Sequence, residues 1–217
     1  MRTLLSEVEE RHAALLNLLQ TAAHRGSPAQ PGEARMNTDR FLAEASRHTA
    51  AATRVLLPSI AKHLPAGRAE VRDHLRAIRR LELMLVKAKA KEYGQAQTVN
   101  MPWASVWAGV RTHLARTIAA ERRLAAMLAE HLESGDDTRL CERFTRAIAT
   151  SPSRPHPHLP HTGLPGYCTR VVWAKLDALW DEVEGRVTSA APSRRAKPAG
   201  RRALDTLPRR WQTGTPY

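Results

Sequence analysis

Apolar residues recur along this chain at spacings of three and four, the period of a helix with one face against a core. Gly and Pro cluster at Gly26–Gly32, Leu64–Gly67, Gly94–Pro102, Pro152–Gly166 and from Pro192 onward, and they fence off four long helical stretches. The first, about Leu4–Ala23, carries Leu5, Val8, His12, Leu15, Leu16 and Leu19 on one stripe. The second runs from a Thr38 or Asp39 cap to about His63, with Phe41, Ala45, His48, Ala52, Val55, Leu56 and Ile60 inward. Pro58 should kink it or end it early. The third, about Ala69–Tyr93, offers Val71, His74, Ile78, Leu81 and Leu85, with Gly94 as its stop. The fourth, about Pro102–Leu132, offers Val106, Val110, His113, Thr117, Leu124 and Leu128.

Beyond these, Asp136–Ala149 reads as a short capped helix, and the Pro/His-rich run Ser151–Gly166 as an extended strap. Arg170–Val187 is periodic again, with Trp173, Leu176, Leu179, Trp180, Val183 and Val187 forming an apolar stripe. The remainder, Thr188–Tyr217, is basic and Pro-rich, with too little apolar surface to offset ordering entropy, and reads as disordered. No strand alternation of useful length and no internal repeat is found. The pattern therefore predicts an all-α protein: an up-down four-helix bundle over 1–135, accessory helices and strap over 136–187, and a basic tail over 188–217.

Composition narrows the class. A chain of 217 residues with 42% apolar content buries a sizeable core as one globular domain. Two cysteines, Cys141 and Cys168, and no charged-then-apolar leader over Met1–Gln20 argue against a disulfide scaffold and against secretion, leaving the cytoplasm as the expected location. Charges or His interrupt every apolar run before it could cross a bilayer, so no membrane partner is expected. The net charge of +13 points toward polyanions, and the tail's arginines suit nonspecific contact with nucleic acid. Arg76, Arg79 and Arg80 read as a solvated face. The spacing of Trp103, Trp107, Trp173 and Trp180 favours packing between helices over base stacking, and Cys141 reads as a small buried apolar residue.

Each of the four predicted bundle helices carries one His on its apolar stripe: His12, His48, His74 and His113. The inward faces of a bundle converge on one axis, so four imidazoles presented there can reach a common ion of iron, zinc, copper or nickel. The other six, His24, His63, His131, His156, His158 and His161, lie at helix ends or in the strap and suit capping or solvated roles.

The order of these helices resembles the hemerythrin-like, or HHE cation-binding, family over about Leu4–Leu132. The opening helix SEVEERHAALLNLL shows the family's His after acidic residues and before a Leu-rich run. The second, RHTAAATRVLLPSI, holds His48 and Pro58 in the family's register, and VRDHLRAIRRLELML and VRTHLARTIAAERRLAAML resemble its third and fourth His-bearing helices. The segment SPSRPHPHLP resembles a tail that follows the bundle in some bacterial members. The resemblance implies a four-helix bundle around non-haem iron. It also implies a departure, because the family's two carboxylates, one turn after the second and fourth His, are here Ala52 and Thr117. Glu44 precedes His48 by a turn, and its side chain leans away from the His. Glu121 lies eight residues past His113, roughly 12 Å along the axis at 1.5 Å per residue. A shifted alignment of the fourth helix brings Glu121 into play instead and leaves Arg116 where the His should be. Register raises the same question for His74, which lies about five residues into its helix while His48 lies about fifteen residues from the end of its own, a mismatch of roughly 15 Å that shrinks if Pro58 turns the chain aside.

The expectation is thus a non-enzymatic protein with a reduced, His-only core site on His12, His48, His74 and His113. It binds at most one transition metal, iron by resemblance with zinc or no metal as the other outcomes, in a sensing or stress-related role. The alternative is a metal-free helical interaction module that meets a protein partner of unknown identity, or nucleic acid, through its basic tail.

Overall fold

The structure, a computed structural model, describes residues 2–24, 31–95 and 100–151. The strap, the helix expected over 170–187 and the basic tail lie outside these residues. The described chain is helical, with no strand among the described residues. Its elements are α1 (Leu4–Ala23), α2 (Pro31–Ala51), a π-helical turn (Ala52–Leu56), α3 (Leu57–His63), α4 (Gly67–Glu92), α5 (Trp103–Ala129) and α6 (Ser134–Ala149). No helix among them is long and apolar enough to cross a membrane.

Local chemistry sets the ends. The Thr3 hydroxyl accepts from the backbone of Ser6, and the Ser6 hydroxyl accepts in return from the backbone of Thr3, so two otherwise orphaned donors at the start of α1 are satisfied. Gly94 ends α4 with φ of +69°, a conformation open to glycine at little cost. The expected cap at Thr38 or Asp39 is absent: α2 begins at Pro31, and Thr38 lies buried inside it with its hydroxyl donating to the Ala34 carbonyl. Pro has a fixed φ suited to a first helical turn, so a start seven residues earlier is compatible with the backbone.

Pro58 does not end the second helical stretch. The chain widens into one π turn ahead of it, in which Leu57 N–H donates to the Ala52 carbonyl five residues back, and then continues helically to His63. A wider turn accommodates a residue that lacks an N–H and whose ring crowds the preceding turn. The turn into α4 is tight. A Cβ placed on Gly67 would lie 2.1 Å from the Ile60 carbonyl oxygen, so glycine permits the close approach of α3 to α4.

Contacts close a ring of four long helices, in which α1 touches α2 and α5, and α4 touches α2 and α5. The pairing of α4 with α5 is antiparallel and in strict register. Gly109 faces Met84, and fourteen residues onward Arg123 reaches Glu70, fourteen residues back. Helix α6 packs across α1, α2 and the π turn, where Leu140, Cys141, Phe144, Ala147 and Ile148 join the apolar cluster of Leu4, Val8, Leu56, Ile60, Leu124 and Leu128. Burial, then proximity to Glu7, pushes the Cys141 thiol pKa up, as suits a small buried residue. A second cluster gathers Leu15, Leu19, Phe41, Leu42, Leu81, Leu85, Val110 and Leu114, with Trp107 stacked on Trp103 at 5.7 Å and edge-on to Phe41 at 6.0 Å. Leu16, expected inside, is 44% exposed.

Candidate metal centre

On α1, α2 and α5 a polar layer separates the two apolar clusters. His12 falls between Val8 and Leu15, His48 between Ala45 and Ala51, and Thr117 with Glu121 between Leu114 and Leu124. His74 of α4 reaches the same layer. These positions continue the helical stripes that bury their neighbours, so the polar side chains enter the core by the same periodicity as the leucines around them.

Glu121 lies at the centre of the layer and is fully buried. Its Oε2 accepts from His12 Nε2 at 2.8 Å and from His48 Nε2 at 2.6 Å, and its Oε1 accepts from His74 Nε2 at 3.0 Å. An ionised carboxylate only accepts, so each imidazole in this arrangement carries its proton on Nε2. Burial works against ionisation of Glu121. Attraction to His48 and the three ring N–H donors outweigh it, and the carboxyl is held well below the usual carboxylate range. The rings of His12 and His48 meet edge-on at 5.0 Å, and Phe144 of α6 stands edge-on to His48 at 5.9 Å, closing that side with an apolar ring.

Three of the four expected His ligands therefore converge. The fourth does not: His113 lies half-buried on the flank of α5, where burial and then the charges of Arg116 and Arg80 lower its pKa. Glu121 takes the place on α5 assigned from sequence to His113. Of these two residues, eight apart on α5, Glu121 is the one that lies in the buried layer. Val110, Leu114, Thr117, Glu121, Leu124 and Leu128 step by four, three, four, three and four, and all six are buried. His113 is one residue, about 100° of helix, away from that line. The uninterrupted stripe through Glu121 was the signal available in the sequence.

His12, His48 and Glu121 each offer a ligand atom within 4.8 Å of the others, in a buried group with the geometry to hold a metal ion. Neutral imidazole nitrogen and carboxylate oxygen are donors suited to iron, zinc or manganese. The outer support is thinner than the inner set, because Nδ1 of His48 and Nδ1 of His74 are buried without a hydrogen-bond partner among the described residues. Ligating imidazoles usually donate that second N–H to a carboxylate or carbonyl, and loss of such a partner typically weakens metal binding by roughly 10–100-fold.

No protein-family model, curated protein or solved structure matches this chain.

Proposed function

We propose that the protein is a degenerate hemerythrin-like four-helix bundle that binds a single transition-metal ion through His12, His48, His74 and Glu121, in a sensing or stress-related role. The observation that carries this reading is one buried carboxylate contacted by imidazole Nε2 atoms from three other helices, with the ligand atoms of His12, His48 and Glu121 within 4.8 Å of one another and His74 on the second carboxylate oxygen. One carboxylate offsets half the charge of a divalent ion. It cannot offset two such ions in a buried site, so the reading stops at one metal. Iron follows from the family resemblance, and zinc fits the same donors. The bound ion would supply Lewis acidity, while the protein would hold it, orient the imidazoles and exclude water with Phe144 and the two apolar clusters. Binding is preferred over turnover because the carboxylate of the layer is engaged by all three imidazoles through their Nε2 atoms, and no second carboxylate stands beside it among the described residues to form an acid–base pair with it.

A metal-free interaction module is the second reading. It is favoured by the N–H···O distances of 2.6–3.0 Å, which satisfy Glu121 without any ion. Metal analysis of the full chain purified from iron-supplemented cells separates the two. Near one equivalent in the wild type, falling to background in Glu121→Gln and in a His48→Ala/His74→Ala double variant, supports the metal site. Equal near-zero content in all three, with no rise of the wild-type Tm on adding ferrous or zinc ion, leaves the metal-free module.

A further inference from the structure

The antiparallel register of α4 and α5 determines what meets across their outer seam. Four residues onward from Gly109 and four back from Met84, His113 faces Arg80, and one turn further along α5 lies Arg116. Arg80 and Arg116 are exposed and His113 half-buried. No described carboxylate pairs with any of the three. Of the acidic residues on these two helices, Glu70 is taken by Arg123 and Asp73 by Arg76, Glu82 and Glu121 are buried, and Glu92 sits at the far end of α4. On the neighbouring α1, Glu9 pairs with Arg122, Glu7 with Arg2 and Arg11, and Glu10 with Arg2; on α2, Glu44 pairs with Arg47. The seam thus brings two exposed arginines and a histidine to the same stretch of the α4–α5 pair, and none of the three is in an ion pair with the carboxylates named above. Like charges placed side by side favour an anion between them, and the His113 pKa is lowered by burial first and then by the charges of Arg116 and Arg80.

We propose that the α4–α5 seam, with Arg80 and Arg116 flanking His113, is a binding site for a phosphate-type oxyanion. Guanidinium groups present planar forks of N–H donors that match phosphate oxygens, and the imidazole adds a third donor between them. The ligand is inorganic phosphate or the phosphodiester of a nucleic-acid strand, which share this chemistry. The site is independent of the core, since it uses none of the residues around Glu121, and it gives His113 a role outside metal binding.

The test follows the His113 ring resonances of the full chain by NMR during separate titrations with inorganic phosphate and with a single-stranded oligonucleotide. Either ligand should shift those resonances and raise the His113 pKa. An Arg80→Gln/Arg116→Gln double variant, exposed positions whose loss leaves the helices intact, should weaken binding by at least roughly tenfold. An Arg143→Gln/Arg146→Gln variant on α6 removes the same charge elsewhere and should leave affinity within about twofold. A response to phosphate identifies the free ion, and a response to the oligonucleotide alone identifies the phosphodiester. Equal losses in both variants, or no movement of His113 with either ligand, would overturn the proposal.

Discussion

Glu121 and His113 occupy the same helix eight residues apart, and their fates differ because of where each falls around it. Glu121 lies on the inward line and accepts from three imidazole donors, whereas His113 lies on the flank beside two arginines. The consequence for His113 is measurable. Its folded pKa lies below the ordinary imidazole value of about 6.5, so above that pH the ring is neutral in both states and contributes no pH dependence. Below it the unfolded chain takes up the proton more readily, and this contribution to stability is lost as pH falls toward the folded pKa. An NMR titration in phosphate-free buffer should find His113 titrating below the ordinary value, and Arg116→Gln should move the midpoint up. A midpoint unchanged by that substitution would remove Arg116 as a cause. The residue-scale reading of the sequence found His12, His48 and His74 because each sits amid unambiguous apolar neighbours. Glu121 entered only through a shifted alignment of the fourth helix, because a charged residue on an apolar stripe is ordinarily a break in the stripe, and only its partners, 109, 73 and 47 positions away in the chain, make it an interior residue.

Helix starts and stops were legible wherever one strong local signal governed them. Gly94 is such a case, and the apolar stripe of α1 ends where the helix does, at Leu4 and Ala23. The second stretch was less legible because Pro58 is compensated by the backbone ahead of it, through a hydrogen bond from Leu57 to Ala52 that depends on how the chain relaxes and not on residue type. The junction of α3 with α4 gives a sharper test. Gly67 opens α4 with the Ile60 carbonyl against its α-carbon, and neither is a flexible group. Gly67→Ala should therefore lower stability by about 1–3 kcal/mol, read as a decrease in urea midpoint at unchanged m-value, although alanine is the better helix former. A neutral or stabilising result would mean that the two helices separate at little cost.

At the scale of the whole molecule, α6 ties the beginning of the chain to its core. The α1 start is bound to it through Leu4 N–H donating to Asp137 Oδ1 at 3.2 Å, and Phe144 is packed against His48. Phe144→Ala would open a cavity in the apolar cluster and admit water to one side of the polar layer. The expected loss is about 3–5 kcal/mol by chemical denaturation, with faster hydrogen exchange at His48 and its neighbours than at Leu81 and Leu85 in the other cluster. A uniform rise in exchange across both clusters would show that they do not behave as separate units. The all-helical class was legible from periodicity alone, while the docking of α6 was not, since its amphipathic pattern says that a face is buried without saying against what.

Helices rich in alanine and leucine offer many nearly equivalent ways to slide past one another, because each turn of the interface looks much like the next. The carboxylate held by three imidazoles removes that freedom. Shifting any one of the four helices by a turn would strip Glu121 of a donor and leave an ill-matched anion in a dry interior, at a penalty of about 3–5 kcal/mol for a broken buried pair. The layer thus acts as a notch that selects one axial alignment out of a repetitive sequence.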